Sequence, residues 1–303
     1  MIVRRVMVLE FVVLAAGVIA ISWAAPLIRL AAPAPALTIA ALRLVVAAPP
    51  MIAIAAARRE HDLGSLRPPD LALLGLSAVA LAAHFAFWVV SVQRTSILAS
   101  VVLVTMQPLF VAIGARLFLG ERPRREVNAG IALGIVGATL LVAQGAGDAG
   151  TLSGNVFALV GGVMSSVYLV IGRGARRRLS TASYGAVVYS LTAVLLVGLA
   201  LATGTPLGGQ PPSAYAFIVL LALVPQLIGH NAMNWALGSL SAAVVAVAIL
   251  GEPVGAALIA ALLLHEVPGS LELAGGAIVL AGVYVALRGA RSELEALREP
   301  IAV

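Results

Sequence analysis

Ser96–Pro123, SILASVVLVTMQPLFVAIGARLFLGERP, and Ser241–Pro268, SAAVVAVAILGEPVGAALIAALLLHEVP, stand 145 positions apart and share one pattern. Each opens on a serine, enters a long apolar run, meets a proline directly after an amide or acid (Gln107-Pro108, Glu252-Pro253), and closes on a polar turn with Glu121 and Pro123 or Glu266 and Pro268. At 1.5 Å per residue the inner run Val244–Leu264 is long enough to cross a hydrocarbon layer roughly 30 Å thick. Glu252 nevertheless sits near its middle. An ionised carboxylate there costs on the order of 2.5–3.5 kcal/mol, so it has to be paired, protonated or wet.

Working outward, the same offset pairs Gly17 with Gly162, Trp23 with Tyr168, Gly130 with Gly275 and Gly137 with Gly282, while His84 meets His230 after a one-residue gap. This is a whole-chain duplication. Its medium follows from composition: 61% of residues are hydrophobic and 11% charged, with a mean hydropathy of +1.08. Soluble domains carry roughly a quarter charged residues. Apolar runs recur at about 8–31, 36–57, 71–92, 96–118, 127–144, 153–173, 181–203, 214–238, 242–264 and 270–288. They predict an all-α membrane protein of ten transmembrane helices. The repeats are expected at 1–145 and 146–290, with a short charged tail over 291–303 that is too brief for a domain.

Charge orients these spans. All nineteen cationic residues are arginine. Arg4 and Arg5, the group Arg58, Arg59 and Arg67, the group Arg116 to Arg125, the group Arg173 to Arg178, and Arg288 to Arg298 all fall on one side of a ten-span chain. The positive-inside rule then predicts a multi-pass protein of the bacterial inner membrane with both termini cytoplasmic. Clusters this short read as topology signals rather than nucleic-acid contacts. Five spans per repeat is an odd number, so the second copy is inverted. The loops agree: GERPRREV is arginine-rich and its counterpart HEVPGSLE has none, while the bare AAPAPA answers to GRGARRR. The start MIVRRVMVLEFVVLAAGVIAISWAAP has the make-up of a signal peptide, yet the first span has a repeat counterpart in the sixth and is expected to be retained.

Absences narrow the chemistry. Without cysteine there is no disulfide, thiolate nucleophile or thiolate metal site, and without lysine no P-loop or Schiff base. Neither a cofactor nor a metal is expected.

The duplicated stretches resemble the drug/metabolite transporter superfamily, specifically the EamA-type ten-helix exporters, among them the YddG-like amino-acid exporters. Pro108 with Gly120-Glu121 matches the family's mid-span proline and Gly-Glu turn; the second copy departs from it with His265-Glu266. The resemblance covers nearly the full chain. It implies a basket of ten helices around a central cavity that moves small metabolites out of the cytoplasm.

The residues nominate a lining independently. In the eighth span Gln226, His230 and Asn234 recur at every fourth position, which predicts one helical face, with Asn231 and Trp235 beside it. In the third span Ser77, His84, Trp88 and Ser91 form a comparable stripe. Such stripes avoid lipid and face a bundle interior or wet cavity, or else hold helices together at about 0.6 kcal/mol per bond. Pro108 and Pro253 interrupt equivalent spans at one depth, a pointer to a midplane site beside Gln107 and Glu252. Glu252 has three competing roles: neutralising Arg43, binding a substrate ammonium, or carrying a proton. Arg43 either snorkels or pairs with a substrate carboxylate. Trp23, Trp88, Tyr168, Tyr189 and Trp235 can wall an apolar pocket or pack helices; Tyr184 and Tyr215 suit the interfacial belt. Gly130, Gly134, Gly137, Gly275 and Gly282 suit close helix approach, either internally or in a homodimer. Glu121 and Glu266 read as turn caps.

The expected function is a non-enzymatic secondary transporter exporting amino acids or similar small metabolites by alternating access. The alternatives are an intramembrane enzyme using His84, His230 and Glu252, or a transporter of an unrelated metabolite or drug. The absence of H-E-x-x-H or G-x-S-x-G spacing and the presence of a whole-chain duplication weigh against the enzyme.

Overall fold

In hydrocarbon each backbone group has to be satisfied within its own segment, so runs apolar on all sides wind into helices. The computed structural model describes residues 2–60, 62–107, 110, 124–143, 149–267 and, further on, 269–271, 273–275, 277–278, 281–282, 284–285 and 288. Every regular element among these residues is helical. Seven helical segments are long and apolar enough to cross a membrane: Leu9–Leu30, Ala36–Ala57, Pro68–Arg94, Leu152–Ala175, Thr181–Ala202, Pro212–Ala236 and Val244–Leu264. Ile97–Val104 and Arg125–Ala143 supply the fourth and fifth spans of the order, and the described residues between 270 and 288 are helical at the tenth.

Prolines set the breaks. The first span divides at Trp23 into Ile2–Ser22 and Ala24–Leu30, since Pro26 has no N–H to offer the Ser22 carbonyl. The ninth divides into Ala242–Ile249 and Glu252–Leu264, since Pro253 has none for Ile249. Ile97–Val104 begins and ends 145 positions before Ala242–Ile249, and each is capped by a serine hydroxyl, Ser96 or Ser241, accepting a backbone N–H. Pro108, Glu121, Pro123 and Pro268 lie outside the described residues.

Packing repeats when the halves are exchanged. The third span packs along the sixth as the eighth packs along the first; the fourth meets the sixth as the ninth meets the first; second pairs with seventh and fourth with ninth. Hydroxyls at equivalent positions make equivalent ties. Thr38 donates to the Pro206 carbonyl at 2.8 Å, and Ser183, 145 residues later, donates to Asp62 at 2.5 Å. The chain is thus a two-repeat helical membrane protein whose odd span number inverts one repeat relative to the other.

Two expectations are refined here. The glycine faces serve internal packing: a Cβ on Gly282 would lie 2.7 Å from the Gly130 carbonyl oxygen and 2.9 Å from the Gly134 nitrogen. Tyr184 does not present its ring to the protein surface. It is fully buried, with its hydroxyl 2.7 Å from that of Ser77.

Candidate functional site

The two interrupted spans bring Gln107 and Glu252 to one cavity, and each break is held from the neighbouring half. Ser166 of the sixth span donates to the Gln107 carbonyl at 3.1 Å, and Ser22 of the first reaches the Glu252 carbonyl at 3.5 Å. Between them lies a cavity of about 40 Å³ walled by His84, Trp88, Gln107, Ser165, Tyr168, His230 and Glu252, with apolar closure from Ile21, Met233 and Ile249. A water needs about 10–15 Å³ of such volume, so this space suits a few waters and is far below a ligand pocket of several hundred Å³.

The wall has directed chemistry. His84 Nδ1 donates to the Gly161 carbonyl at 2.9 Å, because a carbonyl only accepts. In the neutral ring this leaves Nε2 as an acceptor. His84 stacks on Trp88 with centroids 5.7 Å apart and stands 6.5 Å from His230. The Trp88 indole N–H and the Gln107 Oε1 are buried without a hydrogen-bond partner among the described residues. Glu252 lines the cavity and makes no side-chain ion pair among them.

Six nominated residues therefore share one cavity: His84, Trp88, Gln107, Tyr168, His230 and Glu252. Five do not line it. Gln226 is fully buried beside Tyr189. Asn234 accepts from Tyr168 at 2.7 Å and donates to Tyr189 at 3.2 Å; Asn231 accepts from Tyr189 at 2.9 Å and approaches the Met51 sulfur. Trp23 and Trp235 are half-buried against the core. Gln226 leaves the face of His230 because Ala222–His230, with Pro225 inside, is a π-helix, whereas Asn234 lies beyond it in the α-helical turn Asn231–Ala236 and is engaged by Tyr168 and Tyr189. In the π-helix hydrogen bonds reach five residues back, so side chains four apart drift off one face. Sequence reading missed Ser165, whose only signal is the Ser165-Ser166 pair inside an apolar span.

Arg43 does not snorkel. It is wholly buried, and its guanidinium carbon stands 4.1 Å from the centroid of the Phe85 ring. It lies within electrostatic reach of Glu252, without an ion pair between them.

Polar ties join the helices toward both ends of the bundle. At the arginine-poor end Arg29 donates to the Thr95 carbonyl at 2.7 Å, Thr95 donates to Asn155 at 3.0 Å, and Gln93 donates to the Ala34 carbonyl at 3.1 Å. At the arginine-rich end Arg173 donates to the Leu237 carbonyl at 2.8 Å and Arg176 to that of Asn234 at 2.9 Å. These are equivalent latches. Each runs from the end of the first span of a half to backbone where that half's third span ends. Outside the membrane, Asp62 accepts from the Ser180 N–H and the Ser183 hydroxyl. Burial, the largest influence, acts to raise its pKa, but those bonds together outweigh it and hold the carboxylate below its ordinary value.

A larger groove of about 790 Å³ runs between the third and sixth spans. Its walls are apolar, with Asp70, Arg177 and Arg178 at one end, so the polar chemistry belongs to the smaller cavity.

Comparison with known proteins agrees with this architecture. The profile of the EamA-like transporter family matches residues 8–143 and again 152–288. A probable terminal-alkyne amino-acid exporter of Streptantibioticus cattleyicolor is 30% identical over 82% of this chain and 80% of its own length. An uncharacterized transporter of Archaeoglobus fulgidus is 28% identical over 71% and 74%, and the uncharacterized transporter YdfC of Bacillus subtilis is 28% identical over 73% and 74%. A solved crystal structure superposes with a TM-score of 0.76 at 19% identity, over 93% of this chain and 98% of that one, which speaks for the fold.

Proposed function

The chain belongs to the EamA-like transporter family, and from that membership we propose that it exports amino acids or similar small zwitterionic metabolites across the bacterial inner membrane by alternating access. Family members are transporters, so the intramembrane-enzyme alternative falls away. The observation that carries the proposal is the cavity itself: an acid, an amide and two histidines, drawn from both repeats, meet where equivalent spans are broken. Inverted-repeat transporters hold their substrates at such places. The exporter from Streptantibioticus cattleyicolor, named for an amino acid, supports the substrate class.

Glu252 receives the substrate ammonium, and neutral His84 and His230 accept hydrogen bonds from it. The cavity is too small for an amino acid while both latches are closed, so this is the occluded member of the cycle. Opening Arg29–Thr95 exposes the cavity to one side; opening Arg173–Leu237 and Arg176–Asn234 exposes it to the other. By the positive-inside rule the arginine-rich loops support a cytoplasmic location for that second side and for both termini.

Proteoliposomes loaded with labelled amino acids test the reading, with and without a pH gradient. Saturable efflux is expected, falling at least tenfold in Glu252→Gln. Flux indistinguishable from empty liposomes for every amino acid tried sinks the substrate assignment.

A further inference from the structure

The guanidinium of Arg43 is out of balance with its surroundings. Nε, Nη1 and Nη2 are all buried, and none has a hydrogen-bond acceptor among the described residues. A guanidinium carries five N–H donors in a planar fork, and it is the side chain best matched to the two oxygens of a carboxylate. Its close companion is instead a hydrocarbon face, the Phe85 ring at 4.1 Å. That ring is also the link to the cavity. It meets His230 edge-on at 5.5 Å and His84 at 4.8 Å, and both histidines are cavity wall while Phe85 is fully buried behind them. Glu252 faces the cavity and acts on Arg43 through space without bonding to it. A cation whose fork has no hydrogen-bond acceptor among the described residues thus stands one aromatic ring away from a cavity that presents an acid.

We infer that Arg43 is the carboxylate-docking residue of the transport site, and that Phe85 is a cap which the incoming carboxylate displaces from the guanidinium. This rests on the transport reading above and sharpens its substrate class: small zwitterions with a free carboxylate, held at two points, the ammonium on Glu252 and the carboxylate on Arg43. In the occluded state the cation–π contact shields the fork; on binding, a bidentate charged pair replaces it. Compounds with the ammonium but no carboxylate gain only the first contact.

The test is binding to the purified full-length protein, read by tryptophan fluorescence, which Trp88 in the cavity wall reports. The probes are leucine, phenylalanine and alanine, each against its carboxamide. The acids are expected to bind about tenfold or more tightly than the amides, the difference that a charge-assisted bidentate pair supplies. Arg43→Gln should bring the affinity for the acid down to that for the amide and leave the amide unchanged. Arg43→Lys should keep part of the preference. Phe85→Leu removes the cap and should tighten the acid by about 2- to 30-fold, the worth of the lost cation–π contact, without touching the amide. If Arg43→Gln does not fold, Phe85→Leu decides alone. Equal affinity for acid and amide in the wild type, an equal loss of both in Arg43→Gln, or weaker acid binding in Phe85→Leu each overturns the inference while leaving transport standing. Absence of binding by every acid and amide overturns the substrate reading and the inference with it.

Discussion

Because the chain has no cysteine, a single Ser165→Cys substitution places one thiol in the cavity wall. Membrane-impermeant maleimides added from either side then report which end is open. With both latches closed the thiol is modified only through rare openings, and its rate follows the population of the open form. Arg29→Met removes one hydrogen bond from a charged donor to the Thr95 carbonyl. Such a bond is worth about 1.5–3 kcal/mol, which at about 1.4 kcal/mol per decade is roughly a 10- to 150-fold rise in the open population. Labelling from the arginine-poor side should accelerate by that factor, and labelling from the other side should slow or stay unchanged. The converse variant needs two substitutions, Arg173→Met with Arg176→Met, because two carbonyls are held. It should accelerate labelling from the arginine-rich side. Unchanged rates in both variants, or acceleration from the same side in both, would refute the latch assignment and with it the two-gate reading.

Three further outcomes concern stability, measured by thermal unfolding in detergent. Gly162→Val should destabilise by about 1–3 kcal/mol or more, because its Cβ would stand 2.9 Å from the Val104 carbonyl oxygen and 3.3 Å from that of Leu103, backbone atoms that cannot rotate aside. Gly75→Ala, with nothing within 4 Å, should be neutral or stabilising by up to about 1 kcal/mol. Asp62 gives a pH dependence of known sign. Its folded pKa is depressed below the ordinary value, near 4 in the unfolded chain, so its contribution is complete above that pH and is lost as pH falls through the folded value. Wild type should therefore lose stability below about pH 4 more steeply than Asp62→Asn; parallel profiles would show that the Ser180 and Ser183 bonds do not depend on the charge.

Much of the architecture could be read from one offset. The 145-residue shift found in the sequence reappears in the boundaries of Ile97–Val104 and Ala242–Ile249, and in the paired ties of Thr38 and Ser183. A midplane proline after Gln107 or Glu252 pointed to the cavity because a missing N–H interrupts a helix wherever it falls. The remainder escaped for equally physical reasons. Arg29, Arg173 and Arg176 bond to backbone carbonyls, acceptors that every residue carries, so no partner residue type marks the latch. Arg173 and Arg176 read only as topology signals. Four-residue helical spacing assigns Gln226 and Asn234 to the cavity; the π-helix turns Gln226 off that face, and Asn234, in the α-helical turn beyond, is taken up by Tyr168 and Tyr189.

That wider winding also accounts for the one-residue gap that sets His230 against His84, since the eighth span accommodates an extra residue that the third does not. Its energetic consequence reaches beyond register. Two identical halves would give a rocking machine with equal resting levels at either end of its stroke. A surplus residue coiled into one half is a place where the two repeats cannot interchange, so the cycle proposed above is expected to rest unequally at its two ends.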